Sequence, residues 1–307
     1  MSCPVDPTPK DYPSPRDLLV RYGLRPKKSW GQNFLSEPGV LDDIARLAAP
    51  ASGETVVELG AGLGHLSVRL LARGAKVVAV ERDRDMVRVL RGELGGRIVL
   101  LEADAARLDW PELAKRYGAG GGAGASPRLA LAGNLPYHLS SPILFSLLDA
   151  AAFIRRALFL LQREVAERIA AAPGTHDFGV LSVFLQRQAE VTLVRRVPRG
   201  AFWPPPRVES ALLSASFRPP ADEVLDEARF RRLVKAGFGQ RRKMLRNALL
   251  AGRVAPAERL EAAMATAGIN PGRRGETLEL KEWAALERAL GQAPDPARIS
   301  TPRAPVR

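Results

Sequence analysis

Short apolar runs alternate with amphipathic stretches through the first two thirds of the chain. The runs are TVVELG, AKVVAVE, RIVLLEAD, LALAGN and ALFLLQ, and the first of them begins at Thr55. Apolar runs without polar alternation are typical of strands that are covered on both faces. The stretches between them, such as 66–71 and 83–92, are predicted to be helices. This order predicts an α/β protein with a parallel, Rossmann-like sheet. Two further strands are predicted at 191–197 and 211–217, on either side of a proline-rich connection.

The pattern changes after Pro219 and Pro220. Residues 220–292 contain several helical segments with few β-branched residues, and we predict a small all-helical domain there. A chain of 307 residues is expected to form two domains. The α/β domain then spans 28–219, preceded by a partly disordered arm at 1–27 and followed by a disordered, proline-rich tail at 293–307. The glycine-rich segment 118–126 is interpreted as a passive loop within the α/β domain.

The charge of the chain indicates a polyanionic partner. The formal net charge is +13, an excess that is typical of nucleic-acid binding, although arginine is favoured throughout and only eight of the 46 basic residues are lysine. No stretch of about 18 uncharged apolar residues predicts a membrane span. The N-terminus has no secretory signal, and the single cysteine, Cys3, fits a cytoplasmic protein.

Four predicted strands end in a glycine or a polar residue, namely Gly60, Glu81, Asp104 and Asn134. Because ligands of open α/β sheets bind beyond the carboxyl ends of the strands, these residues are expected to converge on one ligand. Glu81 could accept hydrogen bonds from both hydroxyls of a ribose, and Asp104 could accept one from an adenine amino group. A tight turn with solvated carboxylates is the alternative interpretation.

The turn after the first strand, GAGLG, distinguishes between nucleotide cofactors. The dinucleotide fingerprint requires its third glycine at position 65, where this chain has His65. The loss of that spacing disfavours a nicotinamide oxidoreductase and favours S-adenosylmethionine, which has an adenosine but no phosphate. The three histidines, His65, His138 and His176, show no metal-ligand spacing, so we predict no metal.

The segment Asn134-Leu135-Pro136-Tyr137 follows the fourth strand directly. The Asn134 side-chain oxygen and the Leu135 carbonyl could accept hydrogen bonds from the exocyclic amine of an adenine. Such acceptors would favour the tetrahedral geometry that the amine nitrogen adopts when it is methylated. Pro136 would make the turn rigid, and the Tyr137 ring would stack on a flipped base. We predict these four residues to be catalytic; a simple turn is the alternative.

A basic run lies in the predicted helical domain. Arg241, Arg242, Lys243 and Arg246 fall within about two helical turns and predict a phosphate-binding face. A solvated charged surface is the usual alternative for such a run.

Several sequence blocks together resemble the ribosomal RNA small subunit methyltransferase A family, the 16S rRNA adenine dimethyltransferases. The resemblance extends from about residue 28 to residue 290. It rests on GQNFL, VELGAGLGHLS, NLPYHLSSP, LQREVAERI, FGVLSV, FWPPPRVES and FGQRRKMLRN. It implies that 28–219 is an S-adenosylmethionine-dependent methyltransferase domain and that 220–292 binds RNA.

The resemblance also implies site residues and a substrate. Asn33 and Leu35 would contact the cofactor, and Phe202 would stack on the base opposite Tyr137. The family dimethylates two adjacent adenosines in a hairpin loop near the 3′ end of 16S rRNA, which implies a role in ribosome biogenesis. We expect a cytoplasmic monomer that acts on the small ribosomal subunit or its precursor. Ser29 and Trp30 depart from the family pattern, which has a basic residue and phenylalanine there.

Two other functions remain open at this stage. An adenine methylase of the erythromycin-resistance type would act on large-subunit rRNA, but that group usually has isoleucine where this chain has Leu135. A non-catalytic assembly factor would not need Glu81, Asp104 and Asn134, all of which are present.

Overall fold

The structure, a computed structural model, describes residues 8–27, 30–120, 126–137, 140–220 and 222–292. Several sequence predictions concern residues outside these ranges. They are the disorder of the tail 293–307, the first seven residues of the arm, the centre of the glycine-rich segment at 121–125, and the residues Ser29 and His138.

The described residues form nine strands. They are β1 (Phe34–Leu35), β2 (Thr55–Leu59), β3 (Lys76–Glu81), β4 (Val99–Glu102), β5 (Leu129–Asn134), β6 (Ile154–Gln162), β7 (Ala189–Val197), β8 (Phe202–Trp203) and β9 (Ser210–Phe217). Seven of them form one sheet in the order β4-β3-β2-β5-β6-β9-β7, and β1 and β8 form a separate antiparallel pair. Strands β2 to β6 run parallel, whereas β9 is antiparallel to both β6 and β7. The predicted α/β fold class and Rossmann-like sheet are confirmed.

The helices of the described residues occur between the strands and after β9. They are α1 (Pro15–Arg21), α2 (Pro38–Ala48), α3 (His65–Ala72), α4 (Arg84–Leu94), α5 (Trp110–Tyr117), α6 (Ser140–Asp149), α7 (Arg163–Ala170), α8 (Val180–Gln188), α9 (Glu227–Gly239), α10 (Leu245–Ala251), α11 (Ala257–Thr266) and α12 (Leu280–Gln292). Helix α3 contains the predicted segment 66–71. Helix α4 begins at Arg84, one residue after the beginning of the predicted segment 83–92. Asp83 fixes the start of α4, because its side chain accepts a hydrogen bond from the Asp85 N–H.

The central strands are apolar because helices cover them. In β5, the residues from Leu129 to Gly133 are all buried, and four of the five residues of β2 are buried. One hydrophobic cluster joins residues of α1, α2, α3 and α4 to the strands. The N-terminal arm contributes to it through Tyr12, Leu18 and Leu19, which are at most 9% exposed. The described part of the arm is therefore a packed element of the fold.

The chain divides into two compact units, which we call the sheet unit (1–167 and 188–219) and the helical unit (168–187 and 220–307). The sequence-based division placed 168–187 in the α/β domain, whereas the structure groups this segment with the helices. Its contacts explain why. The Arg187 guanidinium pairs with Glu227 at 2.7 Å and lies over the Phe230 ring. The Gly174 N–H donates to the Glu276 carbonyl at 2.7 Å.

Candidate active site

A cavity of about 840 Å³, including its open mouth, lies at the carboxyl edge of the sheet. Strands β2, β3 and β5 end at it, and the residues just before β1 complete its wall. It is lined by eight of the residues that the sequence analysis selected, namely Asn33, Gly60, Glu81, Asp104, Asn134, Leu135, Pro136 and Tyr137. The structure therefore brings together the four strand-end residues, which are far apart in sequence.

The glycine-rich turn after β2 forms the floor of this site. Gly60, Gly62 and Gly64 have φ angles of +72°, +55° and +86°, a region that side chains disfavour. A Cβ on Gly64 would also lie 2.8 Å from a Leu94 methyl and 2.9 Å from the Tyr12 hydroxyl. That hydroxyl donates to the Leu63 carbonyl at 2.6 Å, so the arm supports the turn directly.

Glu81 ends β3 and is 8% exposed. Its carboxylate accepts hydrogen bonds from three main-chain N–H groups, those of Gly62 at 2.9 Å and of Arg82 and Asp83 at 2.8 Å each. Burial raises the pKa of Glu81, although these hydrogen bonds act in the opposite direction. A carboxylate offers about four acceptor positions. Three donors fix its orientation and leave acceptor capacity toward the cavity.

Asp104 follows β4 and belongs to a small cluster at the cavity wall. One of its oxygens accepts from the Ala106 N–H at 3.0 Å, and the other pairs with the Arg82 guanidinium at 3.2 Å. The same guanidinium lies 4.5 Å from the centre of the Trp30 ring, a cation–π contact. Trp30 and Arg82 also line the cavity. Trp30, which stands where the family pattern has phenylalanine, is thus paired with Arg82 in this chain.

Asn134 ends β5, and its position is fixed from two sides. The side-chain amide nitrogen donates to the Asn33 carbonyl at 2.9 Å. The following N–H, that of Leu135, donates to the Leu160 carbonyl at 3.2 Å. Gly133 is required beside it, because a Cβ there would collide with the Leu59 carbonyl. The Asn134 amide oxygen keeps its acceptor capacity.

Tyr137 is held by a serine distant in sequence. Its hydroxyl lies 2.7 Å from the Ser210 Oγ, and Ser210 is fully buried at the start of β9. Burial raises the pKa of Tyr137 above its ordinary value. This hydrogen bond fixes the ring at the cavity wall.

Two family-implied residues do not line this cavity. Leu35 and Phe202 face each other in the β1–β8 pair and are 5% and 3% exposed. Leu35 instead lines a second cavity of about 370 Å³, which shares Gly60 and Asn134 with the first. The structure does not bring Phe202 to the cavity wall, because its side chain packs into the hydrophobic cluster.

Glu58, also at the second cavity, is a buried carboxyl group. It is 2% exposed, and the Ser67 hydroxyl donates to it. Burial raises the pKa of Glu58 to about 8. Burial likewise lowers the pKa of the neighbouring His65 to about 4, while its ring contacts the Pro13 carbonyl at 3.1 Å. Both groups are therefore largely uncharged near neutral pH.

The basic run of the helical unit separates into two pairs of residues. Arg241 hydrogen-bonds the carbonyls of His176 and Phe178, and Arg246 pairs with Glu261. Arg242 and Lys243 are exposed. The first two side chains therefore have structural partners, and the other two extend into solvent.

The charges of the cavity favour one class of cofactor. Glu81 and Asp104 line it, and the Arg82 guanidinium is already paired with Asp104. Carboxylates repel the pyrophosphate of a dinucleotide but attract ribose hydroxyls, an amine and a sulfonium. Together with the glycine turn, these residues fit S-adenosylmethionine. Among the described residues, no cluster of three or more His, Cys, Asp or Glu could bind a metal, and no helix is long and apolar enough to cross a membrane.

Sequence reasoning missed several residues that shape the site. Arg82, Asp83 and Ser210 contact the predicted site residues, yet none of them belongs to a periodic pattern. Gly133 was also missed, although a glycine inside a strand is a usable signal of close backbone approach.

Comparisons with known proteins identify the family of this chain. The family model described as "Ribosomal RNA adenine dimethylase" matches residues 23–291. The ribosomal RNA small subunit methyltransferase A of Anaeromyxobacter sp. (strain K) is 72% identical over 280 residues, which cover 91% of this chain and 99% of that protein. The protein of the same description from Myxococcus xanthus (strain DK1622) is 48% identical, and the match covers 91% of this chain and 95% of that one.

Two solved structures share the fold. The 23S rRNA methyltransferase ErmE is 28% identical with a TM-score of 0.61, and the match covers 85% of this chain and 100% of that one. A dimethyladenosine transferase from Plasmodium falciparum is 23% identical with a TM-score of 0.63, and covers 82% and 95% of the two chains. The family match spans most of the chain, and the relatives are similar over nearly their whole length, so this chain belongs to the ribosomal RNA adenine dimethylase family.

Proposed function

We propose that this protein transfers methyl groups from S-adenosylmethionine to two adjacent adenosines of 16S rRNA, two per base, in a hairpin loop near the 3′ end. The observation that carries the proposal is the placement of Asn134 and Tyr137 in the same cavity as Glu81 and Asp104. The first pair suits a planar base with an amine, and the second pair suits an adenosine. Relatives described as small subunit methyltransferases support the choice of substrate.

The cofactor supplies an electrophilic methyl group, and the chain has to bind and orient it. In this proposal Glu81 accepts from the ribose with the capacity that its three main-chain donors leave free. Asp104 accepts from the adenine amino group, and Gly60 lets the main chain approach closely. Asn33 lines the cavity and is tied to β5 through its carbonyl, and Leu35 follows in β1 at the adjoining second cavity.

The target amine needs acceptors, because its lone pair is delocalised into the ring. The Asn134 side-chain oxygen and the Leu135 carbonyl accept from its two protons and favour the tetrahedral geometry that methylation requires. Asn134 cannot rotate freely, since its amide nitrogen is bound to Asn33. A preorganised acceptor of this kind stabilises the transition state more than the ground state. Alignment with the methyl group supplies the proximity effect.

The base stacks on Tyr137, whose ring is fixed by Ser210 and by the rigid Pro136 turn. A second stacking contact from Phe202 requires local rearrangement, because that side chain is buried in this structure. RNA phosphates bind the helical unit through Arg242 and Lys243, and Arg241 and Arg246 hold that surface in place. The enzyme acts in the cytoplasm as a monomer on the small subunit or its precursor, and so contributes to ribosome biogenesis.

A methylation assay tests the proposal. Purified protein and labelled methyl donor are incubated with unmethylated small-subunit particles, large-subunit rRNA and duplex DNA, and dimethyladenosine is mapped in the products. We expect dimethylation of two adjacent adenosines near the 3′ end of 16S rRNA only. Modification of large-subunit rRNA would support the resistance-type function instead. Cofactor binding without methylation of any substrate would support a non-catalytic assembly factor.

A further inference from the structure

Asp83 is a buried carboxylate that the proposed chemistry does not use. Its side chain is 3% exposed, and it lies two residues after Glu81. A buried carboxylate is costly unless it is paired, so its partners indicate its role. Apart from the Asp85 N–H that it caps, those partners come from the segment that covers the cavity.

Two side chains of that segment bind Asp83. The Lys27 Nζ lies 2.6 Å from one oxygen, and the Gln32 Nε2 donates to the other at 2.7 Å. Gln32 also accepts from the Lys27 N–H at 2.8 Å, which closes the segment on itself. We call residues 27 and 30–33 the cover segment, of which Trp30, Gly31, Gln32 and Asn33 line the cavity.

Asp83 also connects this segment to the expected cofactor contact. Its main-chain N–H donates to the Glu81 carboxylate at 2.8 Å, while its side chain holds the cover segment. One residue thus joins the Glu81 carboxylate to the cover segment. The cover segment is also attached through the ion pair of Lys27 with Asp85 at 2.7 Å, the contact of Trp30 with Arg82 and the hydrogen bond from Asn134 to Asn33.

We propose that Asp83 is a positioning residue that holds the cover segment across the cavity and so sets the affinity for S-adenosylmethionine without touching it. This rests on the proposed function, which assigns that cofactor to the cavity. When a binding-competent state is only partly populated, the apparent dissociation constant rises in inverse proportion to its population. Weakening the attachment should therefore change cofactor affinity and leave turnover at saturating cofactor unchanged, because saturating cofactor repopulates the competent state and the hydrogen bond from Asn134 to the Asn33 carbonyl does not involve Asp83.

The test uses the full-length chain and calorimetry with S-adenosylmethionine. Asp83→Ser retains a cap for α4, since serine is a good N-cap, and should weaken binding about tenfold. Lys27→Met and Gln32→Met change only the cover segment and should each weaken binding about threefold. In Asp83→Ser/Gln32→Met the two effects should not add, because both changes remove the same contact. Arg84→Ala is the control, since Arg84 is 91% exposed and pairs with Glu102.

Turnover on small-subunit particles at saturating cofactor separates positioning from general damage. We expect a raised KM for the cofactor and an unchanged kcat for Lys27→Met and Gln32→Met, with a lowered melting temperature because each change leaves the buried Asp83 carboxylate with one partner fewer. Wild-type affinity in all three single variants, or additive effects in the double variant, would overturn the inference. A fall in kcat and melting temperature without a change in affinity would also overturn it. If the wild-type protein itself did not bind S-adenosylmethionine, the proposed function would fail, and this inference with it.

Discussion

The amide nitrogen of Asn134 lies 2.9 Å from the main-chain carbonyl of Asn33, to which it donates a hydrogen bond. These two residues are 101 positions apart. The contact fixes which end of the Asn134 amide faces the cover segment, and in the proposed function it leaves the oxygen to accept from the substrate amine. One side chain thereby links the cover segment, which we propose to lie over the cofactor, to the segment 134–137, which we propose to receive the base.

Replacement of Asn134 tests this arrangement. Asn134→Ala removes an acceptor that matters most as the amine becomes tetrahedral, so kcat should fall by about 10² or more. Asn134→Asp retains an oxygen but places a carboxylate against the Asn33 carbonyl, so it should also bind the cofactor less well. Turnover and calorimetry on the same preparations measure both effects. Wild-type kcat in Asn134→Ala would exclude the assigned role.

Glu81 is expected to determine cofactor affinity. Glu81→Ala leaves three main-chain donors without their acceptor and removes the ribose contact, which should weaken S-adenosylmethionine binding by about 1.5–3 kcal/mol. Calorimetry measures the affinity, and circular dichroism checks the fold. Unchanged affinity in a folded variant would mean that the ribose lies elsewhere.

Tyr137 should act through its ring more than through its hydroxyl. Tyr137→Ala removes a stacking surface that is typically worth about 1–3 kcal/mol, and this loss should appear in kcat/KM for the RNA. Tyr137→Phe should be milder because it keeps the ring, and its remaining cost comes from the buried Ser210 hydroxyl that it leaves unpaired. Ser210→Ala should resemble Tyr137→Phe, and the double variant should be no worse than either. Equal damage from Tyr137→Phe and Tyr137→Ala would instead assign the hydroxyl a direct role.

The buried Glu58 predicts a specific dependence of stability on pH. Its pKa is raised to about 8 in the folded protein from 4.5, so protonation stabilises the folded state fully below about pH 4.5, and this contribution is lost as the pH rises through 8. Glu58→Gln cannot ionise and still accepts from Ser67. Between pH 4.5 and about pH 8, the free energy of unfolding of Glu58→Gln minus that of the wild type should rise by about 1.4 kcal/mol per pH unit. Denaturant titrations at pH 5, 7 and 9 measure the difference, and a constant difference would mean that Glu58 titrates normally.

The exposed cations of the helical unit should bind RNA phosphates. Each contact contributes about 0.7–0.9 to the slope of log affinity against log salt, so Arg242→Ala/Lys243→Ala should flatten that slope by roughly 1.5 units. Cofactor affinity should not change. Arg246→Ala is the matched comparison, because Arg246 is paired with Glu261, and it should flatten the slope less than Lys243→Ala. An unchanged slope in the double variant would mean that these residues are only a solvated surface.

The sequence alone determined the parallel strands and the edge of the sheet, at their carboxyl ends, where the candidate site lies. Apolar runs identified β2 to β6, and the central strands are apolar because helices cover both of their faces. The edge strand β4 has an apolar run too, although Val99 is 42% exposed. Gly60, Glu81, Asp104 and Asn134 could be grouped because the carboxyl ends of parallel strands share one edge. These features depend on local pattern and on a rule of topology, and both can be derived from the order of residues.

Tertiary structure decided the rest, because it concerns side chains that meet across long separations. Asp83 contacts Lys27, which is 56 positions away, and Tyr137 contacts Ser210, which is 73 positions away. No periodic pattern in the sequence indicates either contact. Packing placed Phe202 inside the hydrophobic cluster and grouped 168–187 with the helical unit. It also gave Arg241 and Arg246 structural partners while leaving Arg242 and Lys243 exposed. A sequence states which charges a chain carries, but only the folded chain determines which of them are already paired.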